Sequence, residues 1–223
     1  MSNLFRTLPL SLSGPVMGIT LAAAGYHVDW KTAVFLLLAV TFLHMYSVSS
    51  KENSYNQIKN VSLVLTIVCG LAMLYFSFGT LLLMEPLILI VLGYMIVRAV
   101  RHTAFVSRGR GILYVFLLFG LLGVAGSYYV CSHSFGGWPM IFPALASGFI
   151  CVGAKADCDR RTFILLMNVA GWLFMTVYAS LRMFDIWHFL YVLSLPAFFI
   201  RKPEWAAFAF SLLSGIGFVI FLV

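Results

Sequence analysis

Long apolar stretches alternate with short polar breaks along almost the whole chain. A helix that crosses a bilayer needs about 20 mainly apolar residues, within a range of about 17–25. We delimit nine stretches near this length: 8–25, 32–50, 60–79, 80–98, 112–131, 138–154, 163–181, 186–200 and 205–223. The division near Gly79 and Thr80 is the least marked. The pattern predicts an all-α fold, a polytopic membrane helix bundle of about nine transmembrane helices that forms one integral-membrane domain over 1–223.

Composition favours lipid, not water, as the solvent of this fold. The 223 residues are 62% hydrophobic and 9% charged, whereas a soluble domain is about half apolar and about a quarter charged. The four cysteines show neither a metal-ligand spacing nor a disulfide framework. There is also no glycine-rich loop of the kind that binds nucleotides. We therefore expect an integral membrane protein.

The N-terminal stretch allows two interpretations. Arg6, the apolar run and the small residues Ala22–Ala24 fit a secretory signal peptide. Pro9 and Pro15 fit equally well a first membrane helix with proline near its start.

The basic residues are divided unevenly between the breaks. If the N-terminus and alternate breaks share one side of the membrane, the other side holds only Lys31 and Arg182 of the 14 lysines and arginines. The remaining 12 are Arg6, Lys51, Lys59, Arg98, Arg101, Arg108, Arg110, Lys155, Arg160, Arg161, Arg201 and Lys202. Four carboxylates accompany them: Glu52, Asp157, Asp159 and Glu204.

This asymmetry predicts how the chain is oriented. Lysine and arginine concentrate on the cytoplasmic side of membrane proteins, so we expect a cytoplasmic N-terminus and an odd number of spans. Separately, we expect the membrane to be a bacterial inner membrane. The net charge of +7 then belongs to one membrane face. It is explained without a nucleic-acid partner, and membrane lipid is the partner we expect.

The apolar stretches carry almost no ionisable residue at mid-depth. Glu85, beside Pro86 near the end of a stretch, comes closest. Proton relays and ion pathways usually need charges within the membrane, so the pattern argues against a coupled transporter.

Three segments resemble a known family. They are "FRTLPLSLSGPVMG" (5–18), "SRGRGILYVFLLFGLLGVAGSYYV" (107–130) and "FLYVLSLPAFFIRKP" (189–203). The first is similar to the "R-x-R-T-L-P-L-S" opening of the 1,4-dihydroxy-2-naphthoate polyprenyltransferases, a branch of the UbiA superfamily. The second resembles their "Y-R-G-L-G-E-x-x-V-F-x-F-F-G-x-x-x-V-x-G-x-Y-Y", and the third their "L-L-S-L-P". The resemblance implies a nine-helix UbiA-type bundle with cytoplasmic active-site loops.

The same resemblance implies a reaction and its partners. Family enzymes transfer a polyprenyl group from its diphosphate to an aromatic acceptor, in quinone and menaquinone biosynthesis. Two Asp-rich motifs hold Mg²⁺, which neutralises the diphosphate so that the C–O bond can ionise. Arginine and lysine take the remaining phosphate charge.

The first Asp-rich motif, "N-x-x-x-D-x-x-x-D", falls on "SVSSKENSYNQIK" (47–59) and is degenerate. Val48 occupies the Asn position and Glu52 the first Asp position. Tyr55 or Asn56 stands at the second. One carboxylate of two therefore remains, as glutamate.

The second motif falls on "AKADCDRRTF" (154–163) and is shortened. Arg160 and Arg161 lie where the family has "K-R-T-L". Asp157 and Asp159 are two residues apart, which in a helix separates them by about 200°, so both can face one metal only in a non-helical segment. Ile112 replaces the glutamate of "R-G-L-G-E".

From the resemblance we assign roles to eight residues. The catalytic and metal-binding carboxylates are Glu52, Asp157 and Asp159, with Mg²⁺ as the cofactor. The cations that bind the diphosphate are Lys51, Arg108, Lys155, Arg160 and Arg161.

Simpler explanations stay open for these features. Segment 154–163 also fits a solvated positive loop, and the cations near Arg108 fit contacts with anionic lipid headgroups. His44 and His102 lie near the charged face and fit either a base toward a phenolic acceptor or a structural role. For the whole chain, the alternative to an enzyme is a non-catalytic isoprenoid-binding or partner subunit that retains the fold.

Gly120, Gly123 and Gly126 recur every three residues. In an α-helix this spacing places them on one face. We expect that face to make a close helix contact, with an isoprenoid slot as the alternative.

Overall fold

The computed structural model describes residues 2–25, 28–51, 56–102, 113, 115–155, 161–182 and 202–222. Within these ranges the chain forms eight helices and no strand. Their bounds are α1 Ser2–Gly25, α2 Trp30–Lys51, α3 Asn56–Phe78, α4 Met84–His102, α5 Phe116–Ser132, α6 Ile141–Lys155, α7 Arg161–Arg182 and α8 Pro203–Leu222. A short 3₁₀ turn, Trp138–Met140, precedes α6.

The all-α class predicted from sequence is confirmed. Each of the eight helices coincides, within a few residues, with a predicted apolar stretch. The predicted stretch 186–200 lies outside the described residues, so the count of nine helices stays a prediction. The uncertain division near Gly79 is real, because α3 ends at Phe78 and Gly79 adopts a positive φ of 71°. The Gly79 N–H then donates to the Tyr75 carbonyl at 2.8 Å, which closes the helix.

Several helices are long and apolar enough to cross a membrane. By length and composition these are four: Thr7–Gly25, Trp30–Ser50, Gln57–Phe78 and Thr162–Arg182. Shorter apolar helices cover Phe116–Ser132, Trp138–Ala154 and Pro203–Val219. These lengths and compositions are compatible with a membrane protein.

The helices divide into two compact units. The first contains Met1–Leu8 and Asp29–Gly111, and the second contains Pro9–Val28 and Ile112–Val223. Helix α1 therefore contributes its first residues to one unit and its remaining residues to the other.

In the first unit, α2 and α3 form an antiparallel hairpin. Asp29 caps α2: its carboxylate accepts from the Lys31 N–H and from the Thr32 hydroxyl, each at 3.0 Å. Beside this cap the Phe35 ring stacks on the Phe76 ring with centroids 5.3 Å apart. The beginning of α2 thus lies beside the end of α3.

Over residues 61–68, helix α3 buries hydroxyl side chains and exposes valines. Ser62 and Thr66 are 2% and 9% exposed, whereas Val61, Val64 and Val68 are each more than 50% exposed. The Thr66 hydroxyl donates to the Ser62 carbonyl at 2.7 Å, so its polarity is satisfied within the helix. In water this arrangement would expose valine and bury hydroxyls, whereas small polar residues are common at helix contacts in lipid.

In the second unit, α5, α6 and α7 alternate in direction. Phe116 at the start of α5 meets Phe149 late in α6, with ring centroids 5.2 Å apart. The Phe149 ring stacks at 5.4 Å on Phe174 of α7. At the other end of the unit the Tyr178 hydroxyl lies 3.7 Å from the Met140 sulfur, just before α6. The connections α5–α6 and α6–α7 therefore lie at opposite ends.

Helix α8 places its C-terminal part beside the C-terminal parts of α1 and α7. The Phe218 ring lies 5.3 Å from the Tyr178 ring, and Gly215 packs directly on Thr20. Helices α7 and α8 thus run in the same direction.

Glycine determines how closely the helices of the second unit approach. A Cβ added to Gly120 would lie 2.7 Å from the Gly148 Cα of α6, and one added to Gly18 of α1 would lie 2.8 Å from the Ser127 Cβ. A Cβ on Gly123 would lie 3.3 Å from the Gly14 Cα. Backbones are therefore in direct contact at these crossings.

The predicted shared face of Gly120, Gly123 and Gly126 is wrong, although two of the three do make close contacts. Gly120 meets α6 and Gly123 meets α1, while a Cβ on Gly126 would have no neighbouring atom within 4 Å. The physical reason is that α5 is π-helical over Phe116–Gly126. A π-helix closes its hydrogen bonds over i→i+5, so residues three apart do not align as they do in an α-helix.

We predict that the exposed face of α3 meets lipid. Spin labels at 61, 64 and 68 should collide frequently with dissolved oxygen in a bilayer, and labels at 62 and 66 should not. Electron paramagnetic resonance accessibility measures both. Equal accessibility at all five positions would contradict the arrangement of α3.

We also predict that Gly120→Ala destabilises the protein. The added methyl meets the backbone of α6, and overpacking of this kind costs about 1–3 kcal/mol, or about 2–4 °C of melting temperature per kcal/mol in a chain of this size. Thermal melts in detergent measure this loss. Gly126→Ala is the matched control and should melt like the wild type, so an equal loss in both variants would refute the contact.

Candidate functional site

Most residues that the resemblance assigns to the site lie outside the described part of the chain. These are Glu52, Arg108, Asp157, Asp159 and Arg160. Lys51 is the last residue of α2, Lys155 the last of α6 and Arg161 the first of α7. Their assigned roles stay predictions.

In the second unit the ends of α6 and α7 that carry Lys155 and Arg161 are adjacent. A Cβ added to Gly153, two residues before Lys155, would lie 2.9 Å from the Cβ of Met167 in α7. The two cations therefore lie at the same end of an antiparallel helix pair. The segment between them in sequence is 156–160. It contains Asp157 and Asp159, the two aspartates that the resemblance assigns to the metal.

A buried polar contact lies one turn from this end. The Ser13 hydroxyl of α1 is 3.1 Å from the Cys151 sulfur of α6 and donates to the Leu10 carbonyl at 2.7 Å. Both side chains are inaccessible to solvent. The contact packs α1 at Ser13, a residue of the first resembling segment, against the helix that leads into Lys155.

Glu204 is an acidic residue whose position the sequence did not predict. The charge pattern assigned it to the solvated basic face, but it is only 7% exposed in the first turn of α8. A carboxylate is favoured near a helix N-terminus, while burial of a charge is costly unless it is compensated. The sequence feature that could have indicated its burial is its position between Pro203 and the apolar run of the last helix.

In the first unit, α1 and α2 share a polar contact near the basic end of α2. The Thr7 hydroxyl and His44 Nε2 are 3.1 Å apart and partly buried. Thr7 belongs to the "R-T-L-P-L" segment, and His44 lies one helical turn before Val48, the position of the family's asparagine. Sequence alone left His44 between a base and a structural role.

The described residues do not by themselves form a metal site. No group of three or more His, Cys, Asp or Glu side chains lies close together among them. A Mg²⁺ site of the predicted kind would have to be built from Glu52, Asp157 and Asp159, whose carboxylate oxygens are the ligands that this ion prefers.

A shallow open depression of about 260 Å³ lies on α3. It is lined by Asn60, Val61, Val64 and Leu65, all from one helix. A depression on one helix belongs to the exposed apolar surface and does not enclose a ligand.

Comparison with known proteins gives no match: no family model, curated protein or solved structure matches the chain. A functional assignment therefore depends on the residues themselves and on the resemblance of the three segments.

Proposed function

We propose that the chain is a membrane-embedded prenyltransferase of the UbiA type with degenerate Asp-rich motifs. It would transfer a polyprenyl group from its diphosphate to an aromatic acceptor, as in quinone and menaquinone biosynthesis. What supports the proposal most is the connection between α6 and α7. Its sequence resembles the tail of the second Asp-rich motif, it joins two adjacent helix ends, and a cation stands on either side of it.

The basic residues and the carboxylates would have different roles in the site. The diphosphate oxygens would accept charge-assisted hydrogen bonds from Lys51, Arg108, Lys155, Arg160 and Arg161. A hard, oxygen-preferring cation would be held by Glu52 together with Asp157 or Asp159. Bound Mg²⁺ would supply the positive charge that lets the allylic C–O bond ionise.

The apolar helices would keep water from the prenyl chain. When the C–O bond breaks, its electron pair leaves with the diphosphate, and a carbon of the aromatic acceptor attacks the prenyl cation. The ring then loses the proton that this carbon carried. Any water in the site would react with the prenyl cation before the aromatic ring does. Exclusion of water therefore decides which product forms.

The second candidate is a non-catalytic subunit that binds an isoprenoid or a partner and retains the fold. Two observations favour it. The first motif keeps one carboxylate of two, and Ile112 replaces the glutamate of the family's "R-G-L-G-E". A subunit of this kind needs the apolar bundle and the cations but not a metal.

We further propose a bacterial inner membrane location with the N-terminus in the cytoplasm. The 12-to-2 division of basic residues supports this orientation. The ends of α6 and α7 in the second unit agree with it, since Lys155 and Arg161 share one end, and Arg182 is at the other end of α7.

The first prediction of the proposal concerns the arginine pair. Arg160→Gln with Arg161→Gln should weaken binding of a prenyl diphosphate at least tenfold. Charge-assisted hydrogen bonds contribute roughly 1.5–3 kcal/mol each when partly desolvated, and about 1.4 kcal/mol is tenfold in affinity. Binding of the prenyl alcohol, which lacks the diphosphate, should hardly change.

The matched control is the pair Lys59→Gln and Lys202→Gln, which removes the same charge from the basic residues without touching the assigned site. It should leave both affinities near the wild-type values. If the double substitution of Arg160 and Arg161 leaves diphosphate binding unchanged but alters the orientation of the protein in the membrane, segment 154–163 is only an orientation signal. The proposal then fails.

The second prediction separates the enzyme from the non-catalytic subunit. If a metal bridges the carboxylates and the diphosphate, Asp157→Asn and Asp159→Asn should weaken binding and abolish its dependence on Mg²⁺. If the metal site is lost, the same changes should leave binding unchanged or tighter, because only repulsion is removed. Binding measured with Mg²⁺ and with a chelator distinguishes the two.

The third prediction concerns topology. With nine spans and a cytoplasmic N-terminus, Val223 lies on the far side of the membrane, so a reporter active only in the cytoplasm should be silent when fused after it. The same reporter fused before Met1 supplies the positive control for the cytoplasmic side. A cytoplasmic signal from the fusion after Val223 would refute the nine-span arrangement.

A further inference from the structure

The connection between α5 and α6 in the second unit is held by Arg182, the last residue of α7. The Arg182 guanidinium donates to the Gly136 carbonyl at 2.8 Å. It also lies over the Tyr178 ring, 5.9 Å from the centroid. Gly136 adopts a φ of 66°, and a Cβ added there would meet the Tyr128 ring and the Met140 side chain. The connection therefore has a defined position against the end of α7.

This position is a boundary of the apolar region. The segment Thr162–Arg182 is long and apolar enough to cross a membrane, and Arg182 ends it. The connection follows the apolar helix Phe116–Ser132 and precedes the apolar segment Trp138–Ala154. Three apolar segments therefore begin or end here. A membrane helix begins or ends where hydrocarbon meets the headgroup region, which places the connection and Arg182 at that level.

Two large aromatic rings are exposed at this boundary. Phe135 and Trp138 are 72% and 68% exposed. The Phe135 ring stacks on the Tyr129 ring with centroids 4.4 Å apart, and the Trp138 ring lies 5.7 Å from the Phe142 ring. Each ring thus contacts a neighbouring ring and is otherwise open. Aromatic side chains in this position are typical of the membrane interface, where an apolar body meets a wet surface.

Arg182 adds a positive charge to the same place. Its side chain is exposed. Within the described part of the chain, the bond to Gly136 takes one of the five N–H donors of the guanidinium. The guanidinium fork fits two oxygens of a phosphate group, to which it donates parallel hydrogen bonds. Interfacial rings beside a cation match one occupant, a lipid with an anionic phosphate headgroup.

We propose that Arg182 and segment 133–138 bind an anionic phospholipid. The guanidinium holds the phosphate, and the rings of Phe135 and Trp138 lie among the upper carbons of the acyl chains. The site is at the end of α7 opposite Arg161, so it is distinct from the residues assigned to the prenyl diphosphate. It does not depend on the prenyl transfer reaction.

The experiment determines which lipid lies beside Trp138. Full-length protein is placed in nanodiscs of phosphatidylglycerol and phosphatidylcholine in equal amounts, with bromine on the upper acyl carbons of one lipid or the other. Bromine quenches tryptophan emission on contact, and the difference between each protein and its Trp138→Phe counterpart isolates the emission of Trp138. We expect quenching about five times as strong when phosphatidylglycerol carries the bromine, which corresponds to about 1 kcal/mol for one basic residue at an anionic surface.

Two variants locate the origin of this preference. Arg182→Gln removes the charge and should lower the quenching ratio to about one. Lys31→Gln is the matched control, because Lys31 is the other basic residue that the charge pattern assigns to this side, and it too lies over an aromatic ring, Phe76, at 5.9 Å. It should keep the wild-type ratio.

Four results would overturn the proposal. A ratio of one in the wild type would mean that no lipid is selected, and absence of Trp138 quenching by either lipid would mean that the segment does not meet acyl chains. An unchanged ratio in Arg182→Gln, or an equal loss in Lys31→Gln, would place the preference elsewhere.

A second measurement covers the case in which Arg182→Gln does not fold or loses all quenching of Trp138. Brominated diacylglycerol, which lacks the phosphate, then replaces brominated phosphatidylglycerol in the wild type at the same fraction. It should quench Trp138 no more than brominated phosphatidylcholine does. Quenching as strong as that by phosphatidylglycerol would refute recognition of the phosphate.

Discussion

Direct contact between helix backbones is the interaction on which the second unit depends. In lipid there is little hydrophobic gain when one apolar helix meets another, so close packing and interhelical hydrogen bonds must hold the helices together. Gly120 against Gly148, and Gly14 against Gly123, bring the axes close enough for this. The Ser147 hydroxyl then reaches the Phe119 carbonyl of the neighbouring helix at 3.2 Å. Larger residues at these crossings would remove both the packing and the hydrogen bond.

This requirement also determines what surrounds the candidate site. The Ser13–Cys151 contact lies one turn before Lys155, so the helix that leads into the α6–α7 connection is fixed against α1. The contact thereby fixes the end of α6 at Lys155, which lies beside the end of α7 that begins at Arg161.

Much of the fold follows from the sequence because lipid imposes a simple rule: an apolar stretch of the right length becomes a helix. That rule located eight helices and their breaks, including the turn at Gly79. It could not predict that α5 is π-helical over Phe116–Gly126, because an unbroken apolar run is compatible with both i→i+4 and i→i+5 bonding. Nor could it predict that Glu204 is buried, since charge counting assigns residues to a side of the membrane but not to a depth.

For the candidate site the sequence contributed the identities of the residues and their order. The convergence of Glu52 with Asp157 or Asp159 depends on tertiary structure and stays a prediction. The Thr7–His44 contact is different, because it joins residues 37 positions apart that no spacing rule connects.

We propose that the chain breaks the C–O bond of an allylic diphosphate and transfers the prenyl group to an aromatic acceptor. Release of inorganic diphosphate from a polyprenyl diphosphate by the purified protein, with a panel of hydroxylated aromatic acceptors, tests this directly. We expect release that requires both Mg²⁺ and an acceptor, with one prenylated ring formed for each diphosphate. Tight binding of the polyprenyl diphosphate without release under any of these conditions would contradict it.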